Sequence, residues 1–408
     1  MKILLTNKFY YPRGGDCIYA LELEKLLKQK GHEVAVFSMQ HPENLPSAYS
    51  QYFPSETVFS LSNTKGIVES FLRPFGTREV KQRFTALLDA FRPDVVHLNN
   101  IHTQLSPVIA SFANKRGIPV VWTLHDYKLL CPASAFLVID GTICDSCLKT
   151  PIDVIKKCCV KGNRMASLLG YIEAKMWNKQ KLQMYTNTFI APSLFLKQKM
   201  EQGGYKSEQI VQFYNFADND KFMHQVVCER NDEVVYVGRL SIEKGVETLC
   251  RSFMKITGAK LLIIGDGPLK KELEKKYASN NIHFMGFQPW SIIKEKLSKS
   301  AFLVIPSQWY ENNPLTIIEA LALGTPVLGA DIGGIPELIQ DKINGMTFPS
   351  RNEKQLTADI QYMLNFKKWD YQQIQSDAKI KFSSDNYYTA LMQLYTKVIS
   401  NGNNKSTY

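Results

Sequence analysis

Nowhere in the 408 residues do ~18 apolar residues follow one another, the run a helix needs to cross a bilayer, so no membrane span is expected. The opening Met1-Lys2-Ile3-Leu4-Leu5 meets Asn7 and Lys8 too soon to form the core of a secretion signal, which points to the cytoplasm. A G-x-G-x-x-G fingerprint is missing, and that weakens a dinucleotide-dependent oxidoreductase reading. No repeat of solenoid length occurs. No nucleic-acid recognition motif or interleaved aromatic platform accompanies the basic residues, so a nucleic-acid partner is not expected.

What is present suits a folded chain of two or three domains, since domains run to roughly 150 residues. Hydrophobic residues make up 45% of the sequence and charged residues 21%, a balance that disordered chains lack. The net charge of +11 is uneven. There are 25 Lys and Arg against 15 Asp and Glu up to residue 200, and 24 against 23 beyond it. The basic excess therefore belongs to the first half.

Short β-branched runs alternate with amphipathic runs throughout, the pattern of parallel sheets covered by helices. One series holds Lys2–Thr6, Val34–Phe37, Val95–Leu98, Val120–Leu124 and Thr188–Ala191. A second holds Val234–Gly238, Lys260–Ile264, His283–Met285, Phe302–Ile305 and Val327–Gly329. The polar stretch from Gly203 to Asp232 reads as a linker, and Asp385–Ile399 reads as a helix. The expected fold is α/β, two Rossmann-like doubly wound domains facing a central cleft. Ligands of such sheets bind beyond the carboxyl ends of the strands.

Several loops at those ends carry chemistry. Ser307-Gln308-Trp309-Tyr310-Glu311-Asn312-Asn313-Pro314 leads into a helix, and proline at a helix start leaves the amides of Leu315 and Thr316 free for an anion. Glu319 lies eight residues past Glu311, up to ~12 Å along a helix, enough for two carboxylates to serve opposite ends of a diphosphate-linked ligand. Gly238-Arg239-Leu240-Ser241-Ile242-Glu243-Lys244-Gly245 supplies Arg239 and Lys244, a planar fork and a point charge suited to pyrophosphate. Solvated surface cations are the competing reading. Gly265-Asp266-Gly267-Pro268 and Gly333-Gly334-Ile335-Pro336-Glu337 are tight turns. In the first domain Gly14 and Gly15 open the first helix, and His125-Asp126 ends a strand. His97 also ends a strand, and a structural role competes there.

In this order, G-R-L-S-x-E-K-G, G-D-G-P, E-x7-E and G-G-I-P-E make the chain resemble family 4 of the retaining glycosyltransferases, of GT-B architecture, nearly over its full length. The resemblance implies a sugar moved from a nucleotide-diphosphate sugar donor to an acceptor hydroxyl, on a growing cell-surface glycan or a lipid-linked saccharide. It implies that Arg239 and Lys244 hold the diphosphate, with backbone amides from Leu315 and Thr316. Glu319 would bind the ribose and Glu311 the sugar near its reacting carbon, with Gly14, Gly15 and His125 also on the sugar. Glu311, His125, Lys244 and Arg239 form the catalytic set. Asn312-Asn313-Pro314 replaces the small or glycine residues that many members carry after the first glutamate. No cofactor is required for catalysis. The C-terminal helix would return to the first domain, giving residues 1–205 with 385–408 as one domain and 206–384 as the other. A nucleotide-sugar epimerase and a non-catalytic saccharide-binding protein are the rival readings.

Two further features stand out. Cys131, Cys144, Cys147 and Cys158 or Cys159 include a C-x2-C core of zinc-like spacing, compatible with a structural zinc or with free thiols. Cys17, Cys228 and Cys250 stand singly and read as reduced thiols. From Lys149 to Lys199 ten Lys and Arg face only Asp153 and Glu173. Met165, Leu168, Leu169, Ile172 and Met176 fall at helical spacing there. A helix packed on its own sheet is one reading, and a peripheral contact with anionic membrane is the other.

Overall fold

The computed structural model describes residues 1–56, 73–366 and 368–403. It divides into one unit of Met1–Tyr214 with Tyr387–Tyr408 and a second of Asn215–Asn386. The expected returning segment thus extends past the described residues at its end.

Among the described residues, the first unit holds six parallel strands: β1 Lys2–Thr6, β2 Glu33–Phe37, β3 Val95–Leu98, β4 Val120–Thr123, β5 Thr188–Ala191 and β6 Ile210–Gln212. Their order is β2-β1-β3-β4-β5-β6. The second holds β7 Glu233–Val237, β8 Lys260–Ile264, β9 Ile282–Gly286, β10 Phe302–Ile305, β11 Val327–Asp331 and β12 Gly345–Pro349, in the order β12-β11-β10-β7-β8-β9. Central strands such as Val95–Leu98 and Phe302–Ile305 are buried along their whole length. Helices cover both faces of a parallel sheet, which is why Phe302–Ile305 reads as an unbroken apolar run and Val95–Leu98 as one broken only by His97.

Two strands escaped the sequence reading. Ile210–Gln212 lies inside the stretch read as a linker, and pairing of Ile210 with Phe189 carries the first unit beyond the expected boundary at residue 205. Gly345–Pro349 pairs with β11 at the sheet edge, where a terminal proline is tolerated.

Each sheet reverses direction of growth at one place, between β1 and β3 in the first unit and between β7 and β10 in the second. Loops leaving the carboxyl ends of those strands are the ones that flank a ligand crevice in this class of sheet.

The helix Ser384–Asn403 joins the first unit through its inner face. Tyr395 Oη lies 2.5 Å from His97 Nδ1, whose Nε2 lies 2.7 Å from Thr123 Oγ1. Tyr387 and Tyr19 share a short hydroxyl–hydroxyl bond. His97 is fully buried in this network, and its role is structural.

Candidate functional site

In the second unit, β7 leads into the loop carrying Arg239 and Lys244, while β10 leads into the loop carrying Ser307 to Asn313. The two loops meet. Gln308 donates its amide to Glu243 O at 2.8 Å. Lys244 Nζ lies 2.7 Å from Oε1 of Glu311, and the same oxygen accepts from Ser307 Oγ at 2.6 Å and Trp309 Nε1 at 2.9 Å. Glu311 is 7% exposed. Burial alone would raise its pKa, but the Lys244 ammonium, with the Ser307 and Trp309 donors, holds it below the usual glutamate value. It is a carboxylate at neutral pH.

Two glycines make this packing feasible. Gly245 has φ of 69°, and a Cβ there would stand 1.9 Å from Pro306 O. Gly333 has φ of 62°, and a Cβ would stand 2.3 Å from Glu311 O. Gly334 then donates its amide to Glu311 O at 2.8 Å, so the Gly333-Gly334 turn supports the carboxylate loop from behind. The Gly265–Pro268 turn braces the Arg239 loop, with Leu240 N bonded to Asp266 O at 2.9 Å.

The helix Leu315–Ala322 follows, with Pro314 as its N-cap and no side chain capping it. Pro314 thus precedes the first helical position rather than filling it. Ile317 N is bonded to Pro314 O, and the amides of Leu315 and Thr316 head the helix, where its dipole favours negative charge. One turn on, Glu319 Oε1 pairs with Lys221 Nζ at 2.8 Å. Lys221 also stands 4.9 Å from the centre of the Trp290 ring. Arg239 is exposed on its loop.

In the first unit the helix Gly15–Gln29 starts after Gly14, with Asp16 in its first turn. Asp16 Oδ2 accepts from Asn100 Nδ2 at 2.8 Å, and Asn99 Oδ1 lies 3.1 Å from His125 Nε2. Tyr19 meets the His125 ring edge to face at 4.8 Å. Desolvation takes His125 down to a pKa of about 4, with Asp16 opposing and Lys8 reinforcing. His125 is therefore a neutral imidazole that can donate or accept a hydrogen bond.

The structure brings Lys244 and Glu311 together on adjoining loops of the second unit, with Leu315, Thr316 and Glu319 on the helix that follows, and in the first unit it places Gly14 and Gly15 at the start of the helix Gly15–Gln29 and His125 just beyond β4. Lys221, Ser307, Trp309, Asp16 and Asn99 escaped the sequence reading as partners. Only Asp16, acidic beside a Gly-Gly helix start, carried a local signal.

The cysteines fall differently from their spacing. Cys131 and Cys147 share a hydrogen bond, which takes the Cys131 thiol down to about 6. Cys144 accepts from Lys157 Nζ at 3.0 Å, whereas Cys158 Sγ donates to Ile155 O. Burial, with Cys131 and Cys144 nearby, raises the Cys159 thiol to about 11. Among the described residues, no group of three or more His, Cys, Asp or Glu side chains stands where it could hold a metal ion.

The helix Arg164–Met176 also differs from its sequence reading. It buries Ala166, Ser167, Leu169, Gly170 and Glu173 and leaves Met165 49% exposed. Glu173 turns inward because Lys128 meets it at 2.9 Å. Among the described residues, no helix is long and apolar enough to cross a membrane.

These two six-stranded parallel sheets have the GT-B fold of glycosyltransferases. The glycosyltransferase family 4 model matches residues 13–221, more than half of the chain, and the model for glycosyl transferases group 1 matches residues 218–380. The chain belongs to this family of glycosyltransferases. It is 24% identical over 355 residues to an uncharacterized 42.6 kDa protein in the cps region of Klebsiella pneumoniae, covering 83% of this chain and 87% of that one. It is 25% identical over 353 residues to N-acetyl-alpha-D-glucosaminyl L-malate synthase of Bacillus anthracis, covering 83% and 82%. Other relatives match over shorter stretches, such as a Methanocaldococcus jannaschii glycosyltransferase of which the chain covers 44% at 31% identity. Anabaena HepE, solved in complex with UDP, superposes with a TM-score of 0.67 at 17% identity over 97% of this chain and 100% of that one.

Proposed function

We propose that the protein is a retaining glycosyltransferase that takes a sugar from a nucleotide-diphosphate donor and places it on an acceptor hydroxyl of a saccharide or lipid-linked saccharide. The observation that carries this reading is the Lys244–Glu311 pair beside the uncapped start of the helix Leu315–Ala322. Breaking a glycosyl phosphate bond sends negative charge onto the diphosphate and positive charge onto the sugar ring. Lys244, Arg239 and the amides of Leu315 and Thr316 would stabilise the first, each well-placed donor contributing ~3 kcal/mol. Glu311, held as a carboxylate, would stabilise the second.

Glu319 would take the ribose hydroxyls, exchanging Lys221 for them. Gly14 and Gly15 amides and the neutral His125 would hydrogen-bond the sugar. The acceptor hydroxyl would attack on the face that the diphosphate leaves, with the departing oxygen taking its proton, so the sugar keeps its configuration. Written this way the reaction needs no metal ion. Support for a nucleotide-sugar donor comes from Anabaena HepE, also solved in complex with UDP-glucose. A cytoplasmic location, with the cationic stretch from Lys149 to Lys199 resting on anionic lipid, belongs to the same proposal, and flotation with anionic and neutral liposomes tests that part.

The decisive experiment mixes the protein with a panel of nucleotide sugars and acceptors, follows nucleoside diphosphate release, and reads the product's anomeric configuration by NMR. Transfer with retention is expected. Inversion, or conversion of the donor to another nucleotide sugar without acceptor, overturns the reading.

A further inference from the structure

A cavity of about 260 Å³ lies wholly within the first unit. Its polar end is formed by three groups from separate segments: His102 beyond β3, Lys128 beyond β4, and Glu173 on the helix Arg164–Met176. Lys128 Nζ is bonded to Glu173 Oε2 at 2.9 Å and to Pro132 O at 2.8 Å. Among the described residues, Glu173 Oε1 and His102 Nδ1 have no hydrogen-bond partner, although Glu173 is 4% exposed and His102 9%. They stand 3.9 Å apart. That gap is too long for a direct bond and spans what one hydroxyl oxygen bridges with two bonds of roughly 2.8 Å.

The bridge is chemically complete with a single hydroxyl. Its hydrogen goes to Glu173 Oε1 and its oxygen accepts from His102 Nδ1–H. The ring is fixed for this by stacking on Trp122, centroids 5.3 Å apart. Burial, with Lys128 and Lys8 nearby, holds His102 well below its usual pKa, so it meets the ligand as a neutral imidazole. Beyond the polar end the walls are largely apolar, among them Pro107, Leu130, Leu148, Trp177 and Leu182. Lys149 and Lys175 line the cavity too, and both are exposed.

We infer that this cavity binds a single-chain amphiphilic anion whose hydroxyl bridges Glu173 and His102, whose apolar body lies against the leucine and tryptophan walls, and whose anionic group meets Lys149 and Lys175. A lone water would satisfy the two orphan atoms but would give the apolar walls and the lysines nothing. The site stands independently of the sugar-transfer reading, because none of its residues is assigned to donor or catalysis.

The test is calorimetric titration of the full chain with hydroxyoctyl phosphate, octyl phosphate and octanediol. Hydroxyoctyl phosphate is expected to bind about tenfold more tightly than octyl phosphate, the worth of one buried bond to a charged group. Its binding should weaken as salt is raised, and that of the diol should not. K149Q/K175Q, both at exposed positions, should abolish the salt dependence, and E173Q should erase the preference for the hydroxyl. If E173Q does not fold, the comparison of the two phosphates on the unaltered protein still decides. Equal affinity for the two phosphates, no binding of any probe, or unchanged salt dependence in the double variant would overturn the assignment.

Discussion

Lys244 Nζ and Glu311 Oε1 lie 2.7 Å apart across 67 residues of sequence, and the pair closes the gap between two loops that leave neighbouring strands. Lys244→Ala leaves a buried carboxylate without its cation. Turnover with a nucleotide sugar should fall ~100-fold or more, with a smaller change in donor KM, because the lost charge acts mainly on the departing diphosphate. Stability should also drop, by up to ~3 kcal/mol in chemical denaturation. Unchanged turnover would remove Lys244 from the machinery.

Glu319→Ala should act on the other side of that division. Donor KM should rise about tenfold while kcat stays within a few-fold, measured with saturating acceptor. Loss of kcat at unchanged KM would contradict the ribose assignment.

Acid should weaken the first unit earlier than the second. His125 has its pKa taken down to about 4 and His97 to about 3, both by burial, against the ordinary histidine value of 6.5. An unfolded chain protonates these rings below 6.5, and the folded one does not until far lower. Folding stability is therefore lost as pH falls from 6.5 towards 4, by an order of 3 kcal/mol per ring. Glu311 is also held low, so its contribution is present above the ordinary glutamate value of 4.5 and is lost only below it. Tm recorded across this range should fall, and His125→Gln should flatten the slope between 6.5 and 4. An unchanged slope in that variant would sink the assignment.

Gly333→Ala should damage the site without touching a charged group. The added methyl carbon would meet Glu311 O at 2.3 Å from a backbone with φ of 62°. A loss of ~2 kcal/mol in stability and of most transfer activity is expected, read by denaturation and product release.

Strands such as Phe302–Ile305 were legible because burial on both faces demands an apolar run, and the loops after them were legible because helix starts and tight turns favour particular residues. Ile210–Gln212 was not, being three residues long and set among polar neighbours. The pairs formed by Lys221 with Glu319 and by Lys128 with Glu173 lie 98 and 45 positions apart and leave no periodic trace. Lys221 and Lys128 looked like ordinary surface residues until the fold placed each beside its carboxylate. Trp309 was visible as a loop aromatic, but its indole nitrogen acquires a role only once Glu311 is turned inward.

The hydroxyl of Tyr395 reaches His97 from 298 residues further along the chain. A ribosome that has released β1 to β6 has therefore not yet supplied Tyr395, and Nδ1 of the imidazole waits for that hydroxyl while the whole second unit is made. Products terminated before Tyr387 should emerge as a finished second unit attached to an incomplete first one, prone to capture by chaperones.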